Sequence, residues 1–175
     1  MGREELEGAI RQVPDFPLPG ILFFDILPLL KVPKHFKALT QELSVFANAI
    51  DVVAGIEARG LILGSAVALH LGKGFVPLRK KGKLPGATLE ESYGLEYGKD
   101  TLEIQEGILN RGDRVLLIDD VLATGGTLIA ALELISDLAG EICEVVVLLE
   151  ISALGGRERI LAAYPDLVIR ALVTI

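Results

Sequence analysis

The stretch VLLIDDVLATGGTLIAALELI, residues 115–135, decides how the rest of the chain is read. Its first four residues, Val115, Leu116, Leu117 and Ile118, have the length and composition of a buried strand. They run straight into two carboxylates, Asp119 and Asp120. Ala123, Thr124, Gly125, Gly126 and Thr127 follow, and the apolar spacing then turns helical over 127–138. A helix start presents unpaired N–H groups and partial positive charge. Two glycines let an anion approach the backbone, and two threonine hydroxyls add donors, so residues 123–127 are expected to cradle a phosphate. Carboxylates aimed at that phosphate would repel it. They suit instead a hydrogen-bond donor a few ångström away, and vicinal sugar hydroxyls are such donors. The string therefore fits a sugar phosphate, with the phosphate in the loop and the diol on Asp119 and Asp120. An acidic turn before an ordinary helix cap would explain a lone pair of aspartates; it does not explain the whole string. The chain has neither G-x-x-x-x-G-K-[ST] nor G-x-G-x-x-G, so the common triphosphate and dinucleotide cradles are unsupported.

Outward from this stretch, short apolar segments alternate with helical ones. Strands are expected at 51–56, 74–80, 97–105, 115–118, 141–151 and 167–175. Helices are expected at 3–13, 33–50, 60–71, 127–138 and 157–163. Residues 14–20, PDFPLPG, hold three prolines and a closing glycine and cannot be regular structure. Residues 82–95, rich in glycine, proline and polar side chains, read as a long loop, a length usually kept for function. Strands alternating with helices predict an α/β fold, doubly wound, with a mainly parallel sheet covered on both faces. In such a sheet the ligand lies beyond the carboxyl ends of the strands.

Composition narrows the classes. A chain of 175 residues, 51% hydrophobic, is expected to form one globular domain. Twenty-four acidic residues against 17 basic ones leave a net charge of −7, which argues against non-specific nucleic-acid binding. One cysteine excludes an internal disulfide and a cysteine-cluster metal site, and Cys143, beside an apolar run, is expected in the core. His35 and His70 lie far apart and read as surface or helix residues. No apolar signal-peptide core and no membrane-spanning run is visible, so a cytoplasmic protein without a membrane partner is expected.

The string VLLIDDVLATGGT resembles the phosphoribosyl pyrophosphate signature of the type I phosphoribosyltransferases. FPLPGILFFDI at 16–26, GIEARG at 55–60, PLRKKGKLPG at 77–86 and SYGLEYGKDTLEIQ at 92–105 are similar, in the same order, to the adenine-using family within that class. The signature is shared with enzymes for other bases; R-K-x-G-K-L-P-G followed by S-Y-x-L-E-Y-G is far more specific. The resemblance implies transfer of ribose 5-phosphate from phosphoribosyl pyrophosphate to N9 of adenine, giving AMP and pyrophosphate in purine salvage. It further implies magnesium held through the substrate, with no all-protein metal site, and a homodimer.

Residue by residue, the resemblance places the 5′-phosphate on 123–127 and the ribose hydroxyls on Asp119 and Asp120. Pyrophosphate falls to Arg59, Arg79, Lys80 and Lys83, and proton transfer at the base to Glu96. By position alone Glu96 reads equally well as an exposed strand carboxylate paired with Lys99. The base falls to Leu22, Phe23 and Phe24 in an N-terminal hood, residues 1–30, and residues 82–95 become a mobile lid that excludes water. Phe24 stands where the family usually carries Arg or Lys, and two adjacent phenylalanines are equally at home in a core. Two other readings remain. A xanthine or hypoxanthine enzyme would want a cationic donor for the 6-oxo group, and residues 148–152 offer none. A non-catalytic sensor of phosphoribosyl pyrophosphate would be expected to carry an added DNA-binding segment, for which 175 residues leave no room.

Overall fold

The structure, a computed structural model, describes residues 3–45, 49–95 and 98–175. The chain divides into two compact units, Met1–Glu42 and Leu43–Ile175.

The first unit holds α1 (Arg3–Ala9), β1 (Arg11–Pro14), β2 (Leu22–Asp25), α2 (Leu27–Lys31) and most of α3 (Pro33–Ser44). The expected helix over 3–13 is thus shorter: it stops at Ala9, and Gln12 and Val13 pair antiparallel with Phe24 and Phe23. Strand pairing wins over the local helical pattern here. It is reinforced by the Arg11 guanidinium, which donates to the buried Asp25 carboxylate. Pro14, expected in the irregular stretch, closes β1 opposite Leu22, and residues 15–20 form the irregular turn that proline demands. The helix expected at 33–50 ends at Ser44; residues 46–48 lie outside the described ones.

The second unit is built on a seven-stranded sheet. Its elements run β3 (Val52–Ile56), α4 (Arg59–Leu71), β4 (Gly74–Lys80), β5 (Thr88–Leu95), β6 (Gly98–Gln105), β7 (Arg114–Leu122), α5 (Gly126–Asp137), β8 (Glu141–Glu150), a 3-10 turn (Ser152–Leu154), α6 (Gly156–Ala163) and β9 (Ile169–Thr174). The strand order is β5-β6-β4-β3-β7-β8-β9. The pairs joining β4, β3, β7, β8 and β9 are parallel, and β6 and β5 extend the edge antiparallel. Side chains alternate between the two faces. One face, with Val52, Ala54, Ile56, Val115, Leu117, Val145 and Val147, packs in one core with Leu128, Ala131, Leu132 and Ile135 of α5 and Ile160 of α6. On the other face α4 comes so close that a Cβ on Gly60 would stand 2.9 Å from the Ile118 carbonyl oxygen. The sheet is therefore covered on both sides, as the doubly wound α/β expectation required.

Three expectations change. Residues 88–95 are not loop: β5 pairs along its whole length with β6, leaving only the stretch around 81–87 irregular. The glycines and prolines that signalled a loop crowd at its start, while cross-strand pairs such as Leu89 with Ile104 and Ser92 with Thr101 hold the remainder. The strand expected at 115–118 runs on to Leu122 and takes in both aspartates. Cys143 is half-buried rather than in the core, because Val115 pairs with Ile142 and Leu116 with Glu144, and Cys143 is the extra residue of the bulge between them.

Candidate active site

The strand order makes the site. From β3 the chain crosses through α4 to β4 on one side; from β7 it crosses through α5 to β8 on the other. The crevice where the winding reverses, between the carboxyl ends of β3 and β7, is where such sheets bind ligands. Register brings the candidates there. Ile56 pairs with Leu78 and Gly55 with Ile118, so Glu57, Arg79 and Asp119 each lie just beyond a paired level at one edge of the sheet.

Asp119 and Asp120 are buried at that edge. Asp119 Oδ1 accepts the Asp120 N–H at 2.8 Å. A Cβ on Gly60 would stand 2.8 Å from the same oxygen, so only glycine at the start of α4 leaves room for this carboxylate. Burial above all, then the adjacent Asp120 charge, pushes the Asp119 carboxyl well above the ordinary range. Burial also pushes Asp120 upward, and the Arg59 guanidinium pulls it partly back. Arg59 Nε stands 2.7 Å from Asp120 Oδ2, yet that buried oxygen receives no directed hydrogen bond among the described residues. Arg59 balances its charge, and the oxygen keeps accepting capacity for a donor that reaches it. That is what a ribose diol needs, and it also suits a magnesium ion completed by substrate oxygens. No cluster of three or more metal-ligating side chains occurs among the described residues.

The cradle follows at once. Gly125 caps α5 with φ +80°, a left-handed conformation that glycine adopts without strain. No side chain caps the helix, so its first N–H groups stay open to an anion. Ala123, Thr124, Gly125, Gly126 and Thr127 are thus brought together as expected. Tyr93 of β5 lies over them: its ring is 3.7 Å from where a Cβ on Gly126 would be, and its hydroxyl bonds to Thr127.

The expected pyrophosphate cations are present but mostly engaged. Arg79 holds Glu57 with two nitrogens, Nε at 3.2 Å and Nη2 at 3.3 Å, and Glu57 also accepts the Lys80 N–H at 2.9 Å. Burial works against ionisation of Glu57, but the Lys80 N–H and the Arg79 guanidinium outweigh it and hold the carboxyl below its ordinary value. The Lys80 ammonium pairs with Asp100, and Lys81 pairs with Glu90. The exposed Lys83 donates its backbone N–H to Glu103 and accepts Arg79 Nη1 at its carbonyl.

Several contributors carry no local signal in the sequence. Glu103, buried on β6, accepts the N–H groups of Gly82, Lys83 and Leu84 at 3.1, 2.8 and 2.6 Å and so fixes the stretch that bears the basic cluster. Arg159 of α6 reaches the Thr124 carbonyl with Nη1 at 3.4 Å, placing a guanidinium beside the cradle. Arg157 locks α6 to the sheet through the buried Glu150 and the Ile169 carbonyl. Glu96 and Tyr97 lie outside the described residues. In the first unit, Phe24 is buried, Phe23 meets Phe16 edge-on with ring centres 5.0 Å apart, and Leu22 is exposed.

Comparison with known proteins agrees with this geometry. The phosphoribosyl transferase domain family matches residues 29–164. The chain is 51% identical over 174 residues to the adenine phosphoribosyltransferase of Acidothermus cellulolyticus, spanning 98% of this chain and 96% of that protein. The crystal structure of adenine phosphoribosyltransferase from Thermoanaerobacter pseudethanolicus superimposes with a TM-score of 0.94 at 41% identity, covering 99% of this chain and 100% of that one. The Saccharomyces cerevisiae enzyme, complexed with adenine and a dideoxy-imino-altritol bisphosphate, superimposes with a TM-score of 0.88 at 38% identity, covering 97% of each.

Proposed function

The chain belongs to the adenine phosphoribosyltransferases, transferases of purine salvage that convert adenine and phosphoribosyl pyrophosphate to AMP and pyrophosphate, and from that premise we propose how its residues divide the work. One observation carries the assignment. β7 delivers Asp119 and Asp120 directly ahead of the uncapped start of α5, with Arg59, the first residue of α4, against Asp120.

The 5′-phosphate sits on 123–127, where helix-start N–H groups meet it. Asp119 and Asp120 accept from the ribose hydroxyls, a contact that would add a hydrogen bond at the buried Asp120 Oδ2. Arg59, Arg79, Lys80 and Lys83 receive the leaving pyrophosphate. A magnesium ion bound through substrate oxygens and the two aspartates would supply further positive charge to that leaving group. As the bond from the anomeric carbon to pyrophosphate oxygen breaks, positive charge grows on the sugar; N9 of adenine forms the new bond and gives up a proton. Fixed charges on both sides of the sugar stabilise this state without rearranging. Glu96, in the motif L-E-Y-G, takes the proton from N9. The β5–β6 hairpin takes the water-excluding role, in place of the loop expected at 82–95. The base is assigned to Leu22, Phe23 and Phe24, through backbone groups and the Phe23 ring, which can stack on a purine. A cytoplasmic homodimer completes the proposal; no helix among the described residues is long and apolar enough to cross a membrane.

A base panel tests it. With phosphoribosyl pyrophosphate and magnesium, adenine alone among adenine, hypoxanthine, guanine, xanthine, uracil and orotate should yield a nucleotide. A different product would relocate the error to Leu22, Phe23 and Phe24. Tight phosphoribosyl pyrophosphate binding with no product from any base would replace the enzyme by a sensor.

A further inference from the structure

We propose that Asp100 is a resident counter-ion for Lys80 that surrenders it to pyrophosphate and takes it back on release; this rests on the reading of Lys80 as a pyrophosphate ligand.

Lys80 ends β4 at the site edge, next to Arg79. Its ammonium is paired with Asp100 Oδ2 on β6, and the lysine side chain keeps 48% of its surface open against 23% for the aspartate. The two partners are not equally free. Asp100 is held from three directions: Lys80, the Tyr93 hydroxyl donating at 3.3 Å, and the backbone N–H of Thr101 donating at 2.8 Å. Tyr93 is in turn buried and bonded to Thr127 of the cradle. The carboxylate is therefore a fixed acceptor, while the four-carbon lysine stem can swing. Arg79, gripped by Glu57 through two nitrogens and by a carbonyl through a third, has no such freedom.

An ion pair with a half-exposed lysine is weak in water. Pyrophosphate carries several negative charges and competes successfully for the same ammonium. Once the ammonium has moved, the fixed Asp100 carboxylate is left without its main cation, a cost that pyrophosphate binding must meet. Asp100 thus lowers the affinity for pyrophosphate, hastens its departure and receives the lysine afterwards. The arrangement keeps a strong pyrophosphate site from trapping its own product.

The test is binding of inorganic pyrophosphate with magnesium to the full chain, by titration calorimetry and stopped-flow release. The variants are Asp100→Asn, Lys80→Gln and the double variant. Asp100→Asn removes the charge and keeps one accepting oxygen, for either the Tyr93 hydroxyl or the Thr101 N–H. It should bind pyrophosphate roughly three- to tenfold more tightly, mainly through slower release. The gain should vanish in the Lys80→Gln background, because the exchange acts through that lysine. Unchanged or weaker binding by Asp100→Asn overturns the exchange and leaves Asp100 a positioning residue. A gain that survives in Lys80→Gln overturns it too, leaving only through-space repulsion. Lys80→Gln alone binding pyrophosphate as well as the parent would sink the underlying reading of Lys80, and the exchange with it.

Discussion

Gly156, the first residue of α6, is seated against Ala123 so closely that a Cβ on it would lie 2.1 Å from the Ala123 carbonyl oxygen and 2.8 Å from the Gly125 nitrogen. The contact is enforced from behind, since Arg157 bridges both Glu150 oxygens and the Ile169 carbonyl and cannot let α6 retreat. The floor of the loop 123–127, the proposed phosphate cradle, is therefore shaped by a helix some thirty residues downstream of it.

Gly156→Ala should consequently injure both stability and substrate binding. Overpacking of this kind costs roughly 1–3 kcal/mol, read as a lower melting temperature. The displaced cradle should raise KM for phosphoribosyl pyrophosphate while leaving KM for adenine nearly unchanged. Parental stability together with parental KM would show that α6 does not shape the cradle.

Asp119 gives a prediction of opposite sign for stability. Its folded-state pKa lies above the ordinary value, because burial and Asp120 disfavour the charge. Such a group favours folding most at low pH, and that contribution is lost as pH rises above the ordinary carboxylate range near 4. Asp119→Asn removes the charge, so it should raise the melting temperature of the ligand-free protein at pH 7–8. The expected gain is a few degrees, about 1–2 kcal/mol, shrinking towards zero as the pH is lowered to about 4. Activity should fall by at least about a hundredfold, since the diol loses a charged acceptor. A variant that melts lower than the parent at pH 8 would contradict the buried-charge account.

Glu103 titrates the other way. Burial opposes its ionisation, but the N–H groups of Gly82, Leu84 and Lys83 prevail and hold its carboxyl below the ordinary value. Its grip on that stretch is complete above the ordinary range and is lost as pH falls through the lowered folded-state value. Native-state amide exchange should show Gly82, Lys83 and Leu84 protected at pH 7 and progressively less so below about pH 4. Glu103→Gln should lower that protection at pH 7 by about tenfold or more and abolish its dependence on acid. Equal protection in the variant would mean the backbone holds this stretch by itself.

Arg159 predicts a split between ligands. Its guanidinium is bonded to the Thr124 carbonyl, in the loop proposed to hold the 5′-phosphate. Arg159→Ala should weaken ribose 5-phosphate and AMP by roughly five- to thirtyfold, about 1–2 kcal/mol for a charged hydrogen bond. Pyrophosphate affinity should stay as it was, and Arg159→Lys should recover part of the loss. Equal weakening of pyrophosphate would place Arg159 elsewhere in the electrostatics of the site.

The residues legible from the sequence are those whose chemistry is local. The run 115–127 carries a strand, two carboxylates and a helix start within thirteen positions, so spacing alone pointed to a parallel α/β sheet and suggested the sugar-phosphate site proposed above. Buried apolar segments such as β3 and the centre of β8 were equally plain, because a strand covered on both faces reads as a near-continuous apolar run.

What tertiary structure decided lies in contacts between positions far apart in the chain. β5 reads as loop by composition and becomes a strand only because β6 supplies its partner. Glu103, Asp100 and Arg159 are unremarkable in their own surroundings, yet they meet Lys83, Lys80 and Thr124 from 20, 20 and 35 residues away. A window of sequence records propensity and periodicity. Which carboxylate neutralises which cation is settled by strand register and helix packing, which bring together groups that no local pattern joins.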